Sequence, residues 1–324
     1  MLAIVYHRYG PPDVLQFQEI PKPAPSASEV LIRVRCASVN PYDWHFLRGT
    51  PIFIRIITGL RHPKSPRLGA DVAGHVESVG AAVTRFKPGD EVFGTCGGSF
   101  AEYACSPEKT LAIKPRGLTF EDAAALPIAC ITALQALRDC GHVHAGQSVL
   151  INGASGGVGT FAVQLARHFG AKVTAVCSTR NVELVRSIGA DSVIDYTRED
   201  FTRRPATFDV LFDLVGNRSL AELRRVLQPR GIFVGCGGGG PDRSGFALLA
   251  GMLGHAAVSP FVSQKITGVF AKINPQDLGV LADLVLAGAI QPVIDRSFPV
   301  SETANAIRYV EQGHARGKVL IAVA

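Results

Sequence analysis

The sequence of 324 residues lacks the features that are typical of nucleic-acid-binding proteins. Its formal net charge is +6, but basic and acidic residues are interspersed along the whole chain. No run of basic residues is interleaved with aromatic ones, as a nucleic-acid-binding segment would require. The positive charge therefore indicates a solvated surface, and we expect no nucleic-acid partner.

Long uninterrupted apolar runs are also missing. The most apolar long stretch, residues 246–262, falls short of a membrane-spanning helix because it is interrupted by Gly251, Gly254, His255 and Pro260. Residues 1–6 lack the charged start and long apolar core of a signal peptide. The seven cysteines have irregular spacing, which favours reduced thiols over a disulfide framework. We expect a cytoplasmic protein with no membrane span.

Hydrophobic residues make up 47% of the chain, which at this length allows about two domains with ample cores. The first third alternates β-branched and polar residues, as in residues 30–35 and 71–79, and predicts a compact β domain. From Val149 onward strands alternate with helices, which is typical of a parallel α/β sheet. After the strand at Val149, we expect strands at residues 172–176, 192–194, 209–213, 231–235 and 267–270.

The most informative stretch is residues 149–160, an apolar run that breaks into glycines and then opens a helix-like segment. A strand that ends in such a loop brings its bare backbone against a pyrophosphate, and the helix N-terminus adds unpaired N–H groups. Ala154 stands at the first glycine position of the G-x-G-x-x-G fingerprint, and Gly156 and Gly159 fill the other two. The pattern predicts a dinucleotide site at Ser155, Gly156, Gly157 and Val158.

Cofactor choice depends on the run Cys177-Ser-Thr-Arg-Asn181, about 20 residues past the glycine loop. NAD-specific sites place an acidic residue there, and this run has none. Ser178 can donate a hydroxyl and Arg180 can make charge-assisted hydrogen bonds to a 2′-phosphate. The sequence therefore favours NADPH, with one alternative left open, in which Arg180 is only a solvated residue at a helix start.

Several further stretches make the chain resemble a medium-chain dehydrogenase/reductase of the zinc-independent quinone oxidoreductase branch. They are residues 37–44, 68–74, 86–94, 124–127, 132–135 and 317–320. The resemblance implies an α/β protein with a GroES-like β domain, residues 1–122 and 273–324, and a doubly wound six-stranded parallel Rossmann domain, residues 123–272. It also implies an interdomain cleft, NADPH as hydride donor and a homodimer.

The same resemblance assigns further cofactor contacts. Tyr196 matches a tyrosine that closes over the 2′-phosphate, while Asn181 stands where a lysine is common. Thr132 lies in a segment that passes near the nicotinamide in relatives. Residues at the ends of strands, or just before the last strand, flank the cofactor in the same way: Val215, Gly235, His314 and Arg316. For each of these, an ordinary turn or cap role is the alternative. The glycine run 237–240 indicates a loop at the cleft mouth.

The resemblance also locates the zinc ligands of metal-dependent relatives. Asn40 and Ala70 stand where the first cysteine and the histidine would be, and Ile128 replaces the last cysteine. Alanine and isoleucine cannot ligate a metal, and Cys96 and Cys105 alone do not make a tetrahedral site. We expect no metal.

No Ser-His-Asp, Cys-His or paired-carboxylate arrangement is present, and hydride transfer does not require one. Addition of hydride to the far carbon of an enone or quinone spreads the developing charge into an enolate or phenolate. We expect Asn40 to hydrogen-bond that oxygen, Asp43 to support the loop and Tyr42 to shape the pocket wall. The alternative is that Asn40 and Asp43 only cap a helix that begins near Trp44.

The predicted function is therefore NADPH-dependent reduction of an enone, enal or quinone, with a small apolar electrophile as substrate. Residues 49–67 are longer and more apolar than expected for the branch, and we expect residues 51–57 and 246–262 to line the cleft. One alternative is an enoyl thioester reductase, for which four cations would form a basic channel: Arg55, Arg61, Lys64 and Arg67. The other is an NADPH-binding sensor or assembly protein with little turnover.

Overall fold

The computed structural model describes residues 1–205, 207–236 and 263–323. The apolar stretch 246–262 and the glycine run 237–240, which the sequence analysis expected to line or border the cleft, lie outside these residues. The chain forms two compact units. The first contains residues Met1–Ile131, Lys272–Gly288 and Pro292–Ala324, and the second contains Thr132–Ala271 and Ala289–Gln291.

The first unit is built mainly from antiparallel strands. A two-stranded sheet pairs β1 (Leu2–Val5) with β2 (Gln16–Glu19). The larger sheet has seven strands: β3 (Glu29–Val39), β4 (Asp71–Val79), β5 (Glu91–Thr95), β6 (Tyr103–Pro107), β7 (Leu111–Ile113), β14 (Ile294–Pro299) and β15 (Lys318–Ala322). Its order is β14-β15-β3-β4-β5-β7, with β6 also paired to β3. The last two strands thus return to the β unit, as predicted.

The central strand β3 shows why this unit folds as a β structure. Val30, Ile32 and Val34 are fully buried, whereas Arg33 and Arg35 between and after them are exposed. This alternation matches the period of a strand with one face on the core. The buried side chains belong to the main apolar cluster of the unit.

Six helices begin in the first unit: α1 (Pro41–Arg48), α2 (Phe53–Thr58), α3 (Phe120–Ala125), α4 (Pro127–Gln135), α8 (Pro275–Leu286) and α9 (Thr303–Glu311). The Thr119 hydroxyl caps α3 by accepting from the Asp122 amide at 3.0 Å. Because α3 packs on β3 and β4, the first unit continues to Ile131 and not only to residue 122. None of the helices in the described ranges has the length and apolarity needed to cross a membrane.

The second unit is a parallel six-stranded sheet. Its strands are β8 (Ser148–Asn152), β9 (Lys172–Cys177), β10 (Ser192–Asp195), β11 (Phe208–Asp213), β12 (Leu227–Gly235) and β13 (Lys265–Gly268). Their order is β10-β9-β8-β11-β12-β13, the doubly wound arrangement predicted from the sequence. The accompanying helices are α5 (Gly157–His168), α6 (Val182–Ser187) and α7 (Leu220–Arg225). Such sheets bind ligands at the carboxyl ends of their strands, where β8 meets the glycine loop.

Candidate functional site

The glycine loop joins the end of β8 to α5, and Gly156 is the N-cap residue of that helix. The tight turn is made by Gly153, whose φ of +91° lies in the region that favours glycine. Ala154, which stands at the first glycine position of the fingerprint, follows this turn and is buried. Gly159 allows close packing, because a Cβ there would lie 2.1 Å from the Gly153 carbonyl oxygen.

Four consecutive residues of the loop and helix start are accessible. Ser155, Gly156, Gly157 and Val158 are partly exposed, whereas the next residue, Gly159, is buried. The first N–H groups of a helix have no intrahelical partner and lie at the positive end of its dipole. This backbone therefore fits a pyrophosphate at the residues that the sequence predicted.

A hydrogen-bonded turn after β11 lies beside the loop. Asn152, at the end of β8, donates through Nδ2 to Asp213 Oδ1 at 2.9 Å. The same carboxylate oxygen accepts from the Val215 amide at 3.0 Å, and Asp213 pairs in register with Gly235 of β12. The structure therefore brings Val215 and Gly235 to the carboxyl edge of the sheet, and a Cβ at Gly153 would lie 2.9 Å from Val215 Cγ2. Sequence analysis did not single out Asn152 or give Asp213 this role.

Asn181 links the glycine loop to the end of β9. Its side chain is buried, and Nδ2 donates to Ser155 Oγ at 2.9 Å and to Ser178 Oγ at 3.3 Å. Since each hydroxyl oxygen accepts from Asn181, each retains its own hydrogen for donation to a ligand. The sequence does show asparagine at position 181, where lysine is common in the family. That difference could not reveal that Asn181 orients the hydroxyls of Ser155 and Ser178.

Arg180 and Tyr196 are exposed at the ends of neighbouring strands, as the cofactor prediction requires. The Tyr196 amide donates to the Cys177 carbonyl at 3.0 Å, which fixes the two strand ends together. The sequence analysis assigned no role to Asp195, the last residue of β10, whose carboxylate accepts from the hydroxyls of Thr179 and Thr197. The hydrogen bond from the Thr179 hydroxyl lowers the pKa of Asp195, so this group is ionised at neutral pH.

A second group of polar residues is buried in the first unit. Lys318 Nζ donates to Asn40 Oδ1 at 2.7 Å and lies 3.4 Å from Asp71 Oδ2. The same Asp71 oxygen accepts from Asn40 Nδ2 at 2.8 Å and from the Ser38 hydroxyl at 2.6 Å. Lys318 is 2% exposed and Asp71 is fully buried, so this is a buried ion pair. We refer to Ser38, Asn40, Asp71 and Lys318 as the buried cluster.

The buried cluster lies where the sequence comparison placed the lost zinc ligands. Asn40 is a member of it, Ala70 directly precedes Asp71, and the Ile128 amide donates to Asp71 Oδ1 at 3.0 Å. The residues at the three lost ligand positions therefore lie around the Lys318 ammonium and the Asp71 carboxylate. Among residues 1–205, 207–236 and 263–323, there is no group of three or more histidine, cysteine or acidic side chains that could hold a metal ion.

The geometry changes the expected role of Asn40. Because a lysine can only donate, Lys318 fixes Oδ1 toward itself, and Nδ2 then donates to Asp71 and, at 3.4 Å, to the Ser38 carbonyl. Asn40 is 3% exposed. Its amide hydrogens are directed to protein acceptors, so direct donation from Asn40 to a developing enolate is not supported.

Asp43 supports the start of α1, as the helix-capping alternative expected. Its Oδ2 accepts from the Asn40 backbone amide at 2.8 Å, and the side chain is fully buried. Burial raises the pKa of Asp43 to about 7, with a further contribution from Asp71, against the opposing effects of the Asn40 amide and Lys318. No hydrogen-bond partner for Oδ1 is present in the described chain.

Tyr42 is the accessible member of the predicted catalytic set. It is 44% exposed, and its ring stacks on Phe46 with centroids 3.9 Å apart. Burial of part of the side chain raises the pKa of Tyr42 to about 12, helped by the Asp43 carboxyl. The phenol therefore keeps its proton at neutral pH and can donate a hydrogen bond.

The remaining predicted contacts are divided between the two units. Thr132 is buried in α4 and belongs to the second unit. His314 and Arg316 are exposed and belong to the first unit, where the Arg316 amide donates to Asp295 Oδ2 at 2.9 Å. The structure does not bring these three residues together within one unit.

Comparisons with known proteins agree with this architecture. Residues 26–116 match the family model for the alcohol dehydrogenase GroES-like domain, and residues 188–321 match that for zinc-binding dehydrogenase. The chain is 36% identical to the chloroplastic NADPH-dependent alkenal/one oxidoreductase of Arabidopsis thaliana, over 99% of this chain and 79% of that protein. The chain belongs to the medium-chain dehydrogenase/reductase superfamily.

Other members place the chain in the quinone oxidoreductase branch. It is 35% identical to the quinone oxidoreductase of Rattus norvegicus, over 98% of this chain and 96% of that protein. The structure of the quinone oxidoreductase from Coxiella burnetii superposes with a TM-score of 0.88 at 30% identity and covers 100% of this chain and 99% of that one. The predicted family and the predicted fold, a GroES-like unit and a Rossmann unit, are thus confirmed.

Proposed function

We propose that this oxidoreductase uses NADPH to reduce the activated carbon–carbon double bond of an enone, an enal or a quinone without zinc. The observation that carries the proposal is the buried cluster, because the positions of the metal ligands are taken by Asn40, Ala70 and Ile128 around a lysine–aspartate pair. A site that cannot polarise an isolated carbonyl with a Lewis acid is suited to acceptors that spread the developing charge. The printed name of the Arabidopsis relative, an alkenal/one oxidoreductase, supports this reaction class.

NADPH fits the second unit, and when bound it supplies the hydride. The backbone from Ser155 to Val158 would hold its pyrophosphate. The Ser155 and Ser178 hydroxyls, kept as donors by Asn181, would bond phosphate oxygens. Arg180 and Tyr196 would flank the 2′-phosphate, with Asp195 held by threonine hydroxyls beside them. The Arabidopsis relative is also named as NADPH-dependent.

Replacement of Arg180 by alanine is expected to raise the Michaelis constant for NADPH about 10- to 100-fold and to leave that for NADH nearly unchanged. A hydrogen bond to a charged group is worth roughly 1.5–3 kcal/mol, and only NADPH carries the 2′-phosphate. Steady-state kinetics with both cofactors measure this difference. Arg186→Ala is the control, because Arg186 is an exposed arginine paired with Glu183 on α6. Equal losses with NADH and NADPH would show that Arg180 does not bind the 2′-phosphate.

At the acceptor, the chain's own residues bind the oxygen that gains negative charge. Tyr42 is the proposed hydrogen-bond donor, since its phenol is accessible and protonated at neutral pH. Asn40 and Asp43 act on Tyr42 through α1, because Asp43 accepts from the Asn40 amide at the first turn of that helix. We thus assign Asn40 and Asp43 positioning roles.

The remaining parts of the proposal concern the compartment, the oligomeric state and the alternative substrates. All seven cysteines are free thiols, which agrees with a reducing compartment such as the cytoplasm, and the family resemblance supports a homodimer. The enoyl thioester alternative is weakened because Arg55 is already bound: its guanidinium donates to the carbonyl oxygens of Gly49 and Arg48 at 3.0 and 3.2 Å. Lys64 also donates to a backbone carbonyl, that of Ile57 at 3.1 Å, so two of the four predicted channel cations are partly engaged.

Transfer of deuterium from labelled NADPH to an enone tests the proposed reaction. The label is expected on the β-carbon, with the carbonyl intact, and saturated ketones and aldehydes should not react. The protein is first dialysed against a chelator, and elemental analysis should then show no stoichiometric zinc with activity retained. Deuterium on the carbonyl carbon of an alcohol product, or activity that returns only with zinc, would refute the proposal. Tight NADPH binding without turnover of any acceptor would favour the sensor alternative.

A further inference from the structure

An apolar and basic surface covers the segment around α2 in the first unit. Five large apolar side chains are exposed within nine residues: Ile52 (67%), Phe53 (49%), Ile56 (68%), Ile57 (70%) and Leu60 (69%). Single exposed apolar side chains are ordinary, whereas a contiguous group marks a site of interaction. We call these five residues, together with Arg61, His62 and Lys64, the α2 surface.

The α2 surface is held in its outward orientation by contacts on the other side of the helix. Ile54 is buried, and Arg55 donates to the Gly49 and Arg48 carbonyls while its guanidinium lies over the Tyr9 ring. The Tyr9 hydroxyl donates to the Gly59 carbonyl at 2.6 Å. The inner face of the segment is thus held by specific bonds, while the five apolar side chains stay exposed.

The segment that carries the α2 surface has charged residues of one sign, and one of them, Arg48, is paired with Glu311 of α9. No aspartate or glutamate occurs between Asp43 and Asp71, an interval that contains five lysines and arginines. Arg61 and Lys64 are exposed, and Lys64 Nζ donates to the carbonyl oxygen of Ile57 at 3.1 Å. His62 also lines a cavity of about 360 Å³ with His7 and Arg8, which extends the basic region. The one acidic side chain of that cavity, Asp13, is paired with Arg308.

We propose that the α2 surface docks the protein on the surface of a bilayer that contains anionic phospholipids. A short amphipathic helix with apolar side chains flanked by lysine and arginine fits the boundary between headgroups and acyl chains. The apolar side chains would enter this boundary, while Arg61, Lys64 and Arg8 would lie among the lipid phosphates. This attachment is peripheral, and it goes beyond the proposed reductase function and does not depend on it.

Co-sedimentation of the whole protein with vesicles tests the docking. Vesicles of equal parts phosphatidylcholine and phosphatidylglycerol are expected to bind the protein at least about 10-fold more tightly than phosphatidylcholine alone, since each cation near an anionic surface contributes about fivefold. Added salt should weaken the binding, because it screens the cations. The double variants Ile56→Ser/Ile57→Ser and Arg61→Glu/Lys64→Glu should each lose about 10-fold or more.

Matched variants elsewhere in the first unit serve as controls. Val280→Ser/Leu286→Ser removes two apolar side chains that are each 46% exposed on α8, and Lys109→Glu reverses an exposed lysine. These should bind vesicles like the unchanged protein, and all variants should keep their unfolding temperature and NADPH affinity. The proposal would be overturned by equal binding to neutral vesicles, by no binding to anionic vesicles, or by full binding of the α2 variants to anionic vesicles. The unchanged protein could also fail to bind vesicles and form a dimer that only Ile56→Ser/Ile57→Ser converts to monomers. That result would assign the α2 surface to a contact with a second copy of the chain instead.

Discussion

Replacement of Lys318 by methionine is expected to lower the free energy of unfolding by about 3–5 kcal/mol. The change leaves the fully buried Asp71 carboxylate without its cation and Asn40 Oδ1 without a donor. It also removes a positive charge that lowers the pKa of Asp43, so burial should then raise that pKa further. Urea unfolding, with the slope checked for a two-state transition, measures the loss.

Two controls separate a buried ion pair from a general effect of removing a lysine. Lys22→Met breaks an exposed ion pair with Glu77, and it should lower the free energy of unfolding far less than Lys318→Met does. Asp71→Asn added to Lys318→Met removes the uncompensated charge and should recover more than about 1 kcal/mol. A loss at Lys318 no larger than at Lys22 would show that the buried cluster does not stabilise the first unit.

Replacement of Asp43 by asparagine is expected to stabilise the protein relative to the unchanged chain, and increasingly so as the pH rises from about 4 to 7. The pKa of Asp43 is raised from 3.8 to about 7 in the folded state. Between these values the folded protein keeps a proton that the unfolded chain has released, so stability falls as the pH rises. The upper limit of the relative gain above pH 7 is about 4 kcal/mol, since one pKa unit corresponds to about 1.4 kcal/mol.

Unfolding free energies of both proteins at several pH values test this expectation. Asparagine retains an acceptor for the Asn40 amide, so the start of α1 should be preserved. Asp195→Asn is the control of opposite sign, because the pKa of Asp195 is lowered and its stabilisation is lost as the pH falls. A difference between Asp43→Asn and the unchanged protein that stays constant from pH 4 to 8 would contradict the raised pKa.

The overall topology could be predicted because its signals are local. Alternation at Val30, Ile32 and Val34 specifies a half-buried strand, and the glycines after β8 specify a loop that approaches a phosphate closely. Each signal depends on neighbours within a few residues, so no tertiary contact is needed to interpret it. The pattern did not show that the tight turn lies at Gly153, because glycine spacing does not fix which residue turns.

The boundary between the two units could not be located without knowing which sheet each helix packs on. A change from strand to helical patterning placed it after residue 122, where α3 begins. The structure continues the first unit to Ile131, because α3 packs on β3 and β4. A helical pattern in the sequence indicates which face is apolar, but it does not name the sheet that this face covers.

By itself, the sequence determined the family, the doubly wound arrangement of the second unit and the glycine loop, and it named the residues that stand at the zinc positions of metal-dependent relatives. The tertiary structure alone decided what fills those positions, since Asn40, Asp71 and Lys318 are far apart in the chain and meet only where β3, β4 and β15 pair. It also showed that Asn181 orients Ser155 and Ser178, and that Asn40 has no free hydrogen to donate. Hydrogen-bond partners depend on distances and directions between distant backbone segments, and those are set by the packing of whole elements.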